Sequence, residues 1–382
     1  MKKICFLISA LIGLISCESG INISVENPSD FERSEMVEIP VKKLMPLPSG
    51  KAYVVSNNNK EVLPSQLTYD GKLIFQTDLK AKEAITYVIK TGAPVDFQAK
   101  TYGRFITERK DDFAWENDRV AFRIYGPALM PVDGPSNGID FWYKRTSNLI
   151  IDKWYKDDIA GVMSYHDDHG EGLDDYKVGR TLGGGMMAPF VNSSLVLNEN
   201  FAKQEILENG PLRTTFKLTY KDITVGEQTF SENRTFSIDA GSQMTKVTQE
   251  YGTKDAIIVA AGIVKRAKED EAYTAYTDEG VAAVIYEEPE SEKVGKVFVG
   301  LIFPTGIENA ISHTYSIIHP KTQQEETHSH VLTIKTYLPG EPITYFTGYG
   351  WDKFGYPTLN DFQNYLGYFS KALKEPLIIS IL

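Results

Sequence analysis

Arg213-Thr-Thr-Phe-Lys-Leu-Thr-Tyr220 decides the fold, because the same kind of run recurs down the chain. Gln243-Met-Thr-Lys-Val-Thr248, Ile257-Ile-Val-Ala-Ala-Gly-Ile-Val264, Val297-Phe-Val-Gly-Leu-Ile-Phe303 and Val331-Leu-Thr-Ile-Lys-Thr-Tyr337 follow it, and Arg119-Val-Ala-Phe-Arg-Ile-Tyr125 precedes it. Each is of strand length and rich in β-branched or aromatic residues, which fit a pleated surface better than a helix. Strands and helices do not alternate, so a doubly wound sheet is excluded. The one helix expected lies near the end: Thr358 caps it with Asp361 three residues on, and Leu359, Phe362, Leu366, Phe369 and Leu373 form an apolar stripe that stops at Pro376. Residues 377–382 then read as a last strand buried in the core. Residues 23–95 carry shorter alternating runs, such as Met36-Val-Glu-Ile-Pro-Val41 and Ile85-Thr-Tyr-Val-Ile89, broken by turn signals at Asn57-Asn58-Asn59 and Asp70-Gly71. The expected fold is therefore all-β: a small N-terminal β-sandwich over residues 23–95, then a large antiparallel β-sandwich over residues 102–382 with one C-terminal helix.

The start of the chain predicts an address. Met1-Lys2-Lys3 is basic, residues 4–15 are apolar but short for a membrane span, and Leu14-Ile15-Ser16-Cys17 has the form of a lipoprotein cleavage box. Residues 1–17 read as a signal segment, Cys17 as the lipidated first residue of the mature chain, and residues 18–22 as a tether. The protein is expected in a bacterial cell envelope, periplasmic or at the cell surface, touching the membrane through that lipid alone. The only other cysteine, Cys5, lies in the removed segment, so disulfides and cysteine catalysis drop out. A net charge of −11 argues against a nucleic-acid partner.

Chemistry concentrates in Tyr165-His-Asp-Asp-His-Gly-Glu-Gly-Leu-Asp-Asp-Tyr-Lys-Val-Gly-Arg180, which carries no period of helix or strand and is therefore expected on a long loop. Two readings stay open. In one, His166, His169, Glu171 and Asp174 hold a divalent metal, although His-x-x-His without the helical zinc-protease order is a weak signal. In the other, the site removes the proton next to the carboxylate of a uronic acid: Arg180, with Lys177, neutralises the carboxylate, His166 or His169 is the base, and Tyr165 or Tyr176 is the acid. No cofactor other than such a metal is indicated. A glycoside hydrolase using Glu171 and Asp174 is the neighbouring alternative, and a non-catalytic glycan-binding protein is the alternative from another class. Glu116, Asn117 and Arg119 in one segment, and Trp142, Lys144 and Arg145 in another, are expected to bind the sugar. Trp351 joins them, and Trp142, Trp154 and Trp351 are the rings available to stack on a pyranose. His313, His319, His328 and His330 read as surface residues of a hairpin.

Trp115-Glu-Asn-Asp-Arg-Val-Ala-Phe-Arg-Ile-Tyr-Gly-Pro127, Gly138-Ile-Asp-Phe-Trp-Tyr-Lys-Arg145, the 165–180 stretch and Glu208-Asn-Gly-Pro-Leu-Arg213 together resemble the domain family DUF4861. The resemblance covers roughly residues 102–382. It implies a secreted or lipidated protein of bacteria that dismantle plant and algal polysaccharides, and a large sandwich similar to those of galactose mutarotases and some polysaccharide lyases. It supplies no catalytic residues.

Overall fold

The computed structural model describes residues 20–45, 47, 52–266, 273–278, 280–319 and 321–382; residues 1–17, expected as a signal segment ending in a lipidated Cys17, lie outside the described residues. The protein is all-β, as expected. One layer of the large sandwich is an eight-stranded antiparallel sheet that runs, edge to edge, Lys203–Asn209, Arg213–Thr219, Glu232–Asp239, Met244–Tyr251, Ile343–Trp351, Val297–Phe303, Val281–Glu287 and Tyr273–Asp278. Facing it are two five-stranded sheets. One, hereafter the front sheet, is Gly172–Asp174, Asp140–Lys144, Ala121–Ile124, Asp112–Asn117 and Thr101–Ile106; the other is Ser194–Leu195, Gly184–Val191, Ile257–Lys265, Glu325–Tyr337 and Asn309–Ile318. A parallel bridge between Ile139 and Gly183 joins them. All three sheets contribute to one core, in which Phe122, Phe141, Phe216, Met187, Val259 and Val299 are buried.

The period-2 rule places the site. Along Ala121–Ile124 and Asp140–Lys144, Phe122, Ile124, Phe141 and Tyr143 enter the core between the layers, so Ala121, Arg123, Asp140, Trp142 and Lys144 stand on the opposite face. That second face is also buried, because the helix Ile151–Ile159 and the loop after it lie across it, packing Trp154, Tyr155 and Tyr165 against Trp142, Ala114 and Ala121. The helix has no counterpart in the sequence reading. Its N-cap, Ile150, offers no side-chain cap; instead the Glu116 carboxylate, from a distant strand, accepts from the Ile150 and Ile151 amides at 2.8 Å.

The C-terminal helix, Leu359–Lys374, is capped by Thr358 and Asp361 in a reciprocal box, as its sequence predicts. The strand after it departs from expectation. Ile378–Ile381 does not enter the large core but forms an edge of the N-terminal sheet, antiparallel to Ile21–Glu26, with Ile378 and Ile381 about half exposed. Because Ile21–Glu26 begins at Ile21, the last two residues of the segment read as a tether belong to a strand. The small sandwich has its own core of Ile23, Val37, Val55, Phe75 and Ile89. It is fastened to the large one by Arg213, which pairs with both Glu38 (2.6 Å) and Asp239, and by Gln66, which accepts from the Leu212 and Arg213 amides.

Candidate functional site

The 165–180 stretch folds as a loop held by its own polar groups. Asp168 accepts from the Gly170 and Gly172 amides and from Arg145, while His169 bonds the Ser164 carbonyl. Gly172 sits at φ +119° hard against the Tyr143 carbonyl, where a Cβ would collide, so a glycine is required for the loop to rejoin the front sheet.

Where the loop meets the sheet, a charged group lies under an aromatic roof. Arg123 is fully buried; it bonds Asp140 and, at 2.8 Å, Asp174, and its guanidinium lies over the rings of Tyr125, Trp142 and Tyr165. Tyr125 accepts from Arg123 and donates to Asp140. Burial drives the Asp140 carboxyl up to about 7, against the pull of Arg123. One nitrogen of Arg123 (Nη1) and one oxygen of Asp140 (Oδ1) have no hydrogen-bond partner among the described residues.

Above this group the surface opens. His166 is half exposed; its Nδ1 meets the Asp174 carbonyl at 2.9 Å and the Asp174 carboxylate at 3.7 Å, which leaves Nε2 directed away from that contact. Its ring stands 4.7 Å from Tyr165. The Tyr165 hydroxyl accepts from Arg109 Nε at 3.1 Å. Burial raises the Tyr165 phenol, while Arg123 and Arg109 pull it back. Arg109 is half-buried and is oriented by Asp112, which also accepts from Tyr155. A half-exposed imidazole, a phenol only 5% exposed and a half-buried arginine therefore line one rim over a buried Arg–carboxylate base.

The structure does not gather the remaining expected residues on this rim. Glu116 and Lys144 form a wholly buried pair at 2.7 Å under the N-terminus of the Ile151–Ile159 helix, where burial pushes Glu116 up and Lys144 down. Asn117 closes its hairpin by accepting from the Arg119 and Val120 amides, and Arg119 is exposed at that tip. Trp142 is an interior wall stacked on Trp154 at 5.3 Å, and Trp351 is 1% exposed in the main core with its indole N–H on the Val294 carbonyl. All four tryptophans are thus buried, and none forms a stacking platform. Glu171 turns outward to Lys153 and Asp174 inward to Arg123, so the two carboxylates do not work as a facing pair. Of the four residues read as metal ligands only His166 and Asp174 meet, while His169 and Glu171 turn to Ser164 and Lys153, and among the described residues no three carboxylate, imidazole or thiol groups converge as a cation site. Tyr176 lies on the inner side, under the Arg266 guanidinium and beside Phe141, with its hydroxyl unpartnered among the described residues. Lys177 is exposed, and its carbonyl accepts from Arg266. Arg180 pairs with neither Asp174 nor Asp175, which bind Arg123 and Lys293. One histidine of the four departs from the surface reading: His330 is fully buried and accepts from the Leu182 amide.

Sequence reasoning missed Arg109, Asp112, Arg123, Tyr125 and Asp140. A signal for two of them existed: Arg123 and Asp140 interrupt apolar strand runs, and a charge at such a position must have a buried partner.

These features define an all-β, two-sandwich protein with a charged site on the front-sheet face away from the main core. The chain belongs to the family described as "Domain of unknown function (DUF4861)", matched over residues 25–379, which includes the small sandwich as well as the large one. It is 30% identical over 381 residues, 94% of this chain and 93% of the other, to "Uncharacterized protein P7" of Formosa agariphila. Two solved structures overlap it loosely: an alpha-mannosidase from Enterococcus faecalis V583 (8% identity, TM-score 0.36, 95% of this chain and 46% of that one) and a protein in the glycosyl hydrolase family 38 from Enterococcus faecalis (10%, 0.35, 95% and 47%). The chain spans about half the length of these two, and a likeness of that grade says nothing of activity.

Proposed function

We propose that the protein is a carbohydrate-active enzyme that acts on uronic-acid-containing oligosaccharides by β-elimination, at the rim formed by Arg109, Tyr165 and His166. The observation that carries this reading is the Arg109–Tyr165–His166 contact chain. Elimination next to a carboxylate needs a cation to neutralise the acid, a base for the carbon-bound proton and an acid for the leaving oxygen. Arg109, already oriented by Asp112, is the cation; the outward Nε2 of His166 is the base; and Tyr165, whose hydroxyl accepts from Arg109, has its proton to give. The pair Arg123–Asp174 holds His166 from below through the Asp174 carbonyl and carboxylate. Relative to the sequence reading, Arg109 takes the role given to Arg180. The anchored, envelope location expected from Cys17 fits a substrate of this size and is part of the same proposal.

Two observations favour elimination over its alternatives. Glu171 and Asp174 face different ways, which disfavours a hydrolase built on them, and the burial of every tryptophan disfavours a passive aromatic platform. Incubating the mature protein with uronate oligosaccharides should raise the ultraviolet absorbance of a conjugated, unsaturated uronate in step with new reducing ends. New reducing ends without that absorbance would mean hydrolysis, and binding with neither signal across a panel of uronate linkages would sink the enzymatic reading.

A further inference from the structure

The strands Asn309–Ile318 and Glu325–Tyr337 form a long hairpin whose register places His313 opposite His330 and Tyr315 opposite His328. With a period of two, all four rings stand on the same face of the hairpin. Tyr315 lies nearly parallel to His330, with centroids 5.5 Å apart, and 5.8 Å from each of His313 and His328, so the rings form one continuous tile. Phe190 closes one side, edge-on to His313 at 5.3 Å. Arg180 comes in from the end of the 165–180 loop: Tyr315 donates to its carbonyl at 3.4 Å, and its guanidinium bonds the Leu197 carbonyl at 3.3 Å.

The charges here do not balance. Among the described residues Arg180 makes no ion pair, and burial pushes its guanidinium below the ordinary arginine range with only weak compensation from Tyr315 and Glu199. Glu199 is itself held by Lys221 at 2.6 Å. Two buried atoms of the tile also lack partners among the described residues: Nδ1 of the fully buried His330 and Nε2 of His313. A part-buried arginine without an ion pair is costly unless something polar and anionic comes to it.

We propose that Arg180 and the Tyr315–histidine tile form a second ligand site, separate from the rim at His166, which takes an anionic sugar residue. Arg180 binds the carboxylate or sulfate as a two-pronged donor, and the Tyr315 face receives the apolar face of the ring. That the ligand is a sugar rests on the function proposed above; that the site takes an anion rests on Arg180 alone. Asp174 and Arg180 are six residues apart, so their Cα atoms lie at most about 22 Å from each other. One oligosaccharide can reach both, with the tile holding a unit remote from the bond that breaks.

The test is calorimetric titration of the mature protein with a uronate monosaccharide, a sulfated monosaccharide, the neutral parent sugar and inorganic sulfate, on wild type, Arg180→Gln and Arg180→Lys, each checked for its melting temperature. The anionic sugars should bind wild type more tightly than the neutral sugar or inorganic sulfate do, and about tenfold or more weaker to Arg180→Gln. Arg180→Lys, which keeps the charge but not the fork, should fall between them and decides the matter if the glutamine variant does not fold. Sulfate binding as tightly as the sugars would reduce the site to a plain anion site and overturn the sugar assignment. Equal binding by wild type and the Arg180 variants, or no binding by wild type, would overturn the site itself. Because the readout is binding, failure of elimination would leave this result standing, and the reverse also holds.

Discussion

Arg123 occupies a strand position whose neighbours all enter apolar contacts, and it is tolerated there because two carboxylates and three aromatic faces surround it. Its network holds the backbone and carboxylate of Asp174 in place for His166, so a buried residue positions an exposed one. A different kind of residue-level control operates at His330. Burial, and then the neighbouring His328, His313 and Arg266, hold its imidazole down at about 3. An unfolded histidine protonates near 6.5, so between about pH 3 and 6.5 the unfolded chain binds the extra proton and this group's contribution to stability grows as pH rises. Folding free energies from urea titrations at pH 4.5 and 7 should therefore differ less in His330→Gln than in wild type. An unchanged difference would mean that His330 titrates normally in the fold.

Among the elements, the helix Ile151–Ile159 depends most on a single distant side chain. Glu116 supplies its cap and neutralises Lys144 in the same place, both wholly out of water. Glu116→Gln keeps a hydrogen-bonding oxygen but leaves the Lys144 ammonium buried without its counter-charge, which costs about 3–5 kcal/mol when a buried pair is broken. Chemical denaturation should register that loss, and hydrogen exchange should show the amides of residues 151–159 opening first. The contrast with the other long helix explains what the sequence could reveal. Thr358 and Asp361 cap their own helix from three residues apart, a local pattern visible in one dimension; Glu116 caps from 34 residues away, which no local pattern contains. The terminal strand is similar: its apolar run marks a strand, but its partner, Ile21–Glu26, lies at the other end of the chain.

For the whole molecule, the larger of two sandwiches carries a polar face that is buried at its base and open at its rim. The all-β class was legible because strand-length runs of β-branched and aromatic residues repeat throughout. The rim was legible in part. Tyr165, His166 and Asp174 stood out because no packing period accounts for them, whereas Arg109, Tyr125 and Asp140 sit in or beside strands and are brought to the loop only by the sheet. Residues chosen for sugar contact by type, such as Trp142, Glu116 and Trp351, proved to be supports, since large rings and paired charges are also what a deep interior uses. The central claim is that the outward nitrogen of His166 takes the proton. His166 is half exposed and makes few contacts, so its removal should leave the fold intact. The decisive measurement is the initial rate at which unsaturated uronate forms with His166→Ala beside wild type, on the same oligosaccharide and at equal melting temperature. The account predicts a rate lower by about 10²–10⁴, the range for loss of a general base. A rate within twofold of wild type would contradict it.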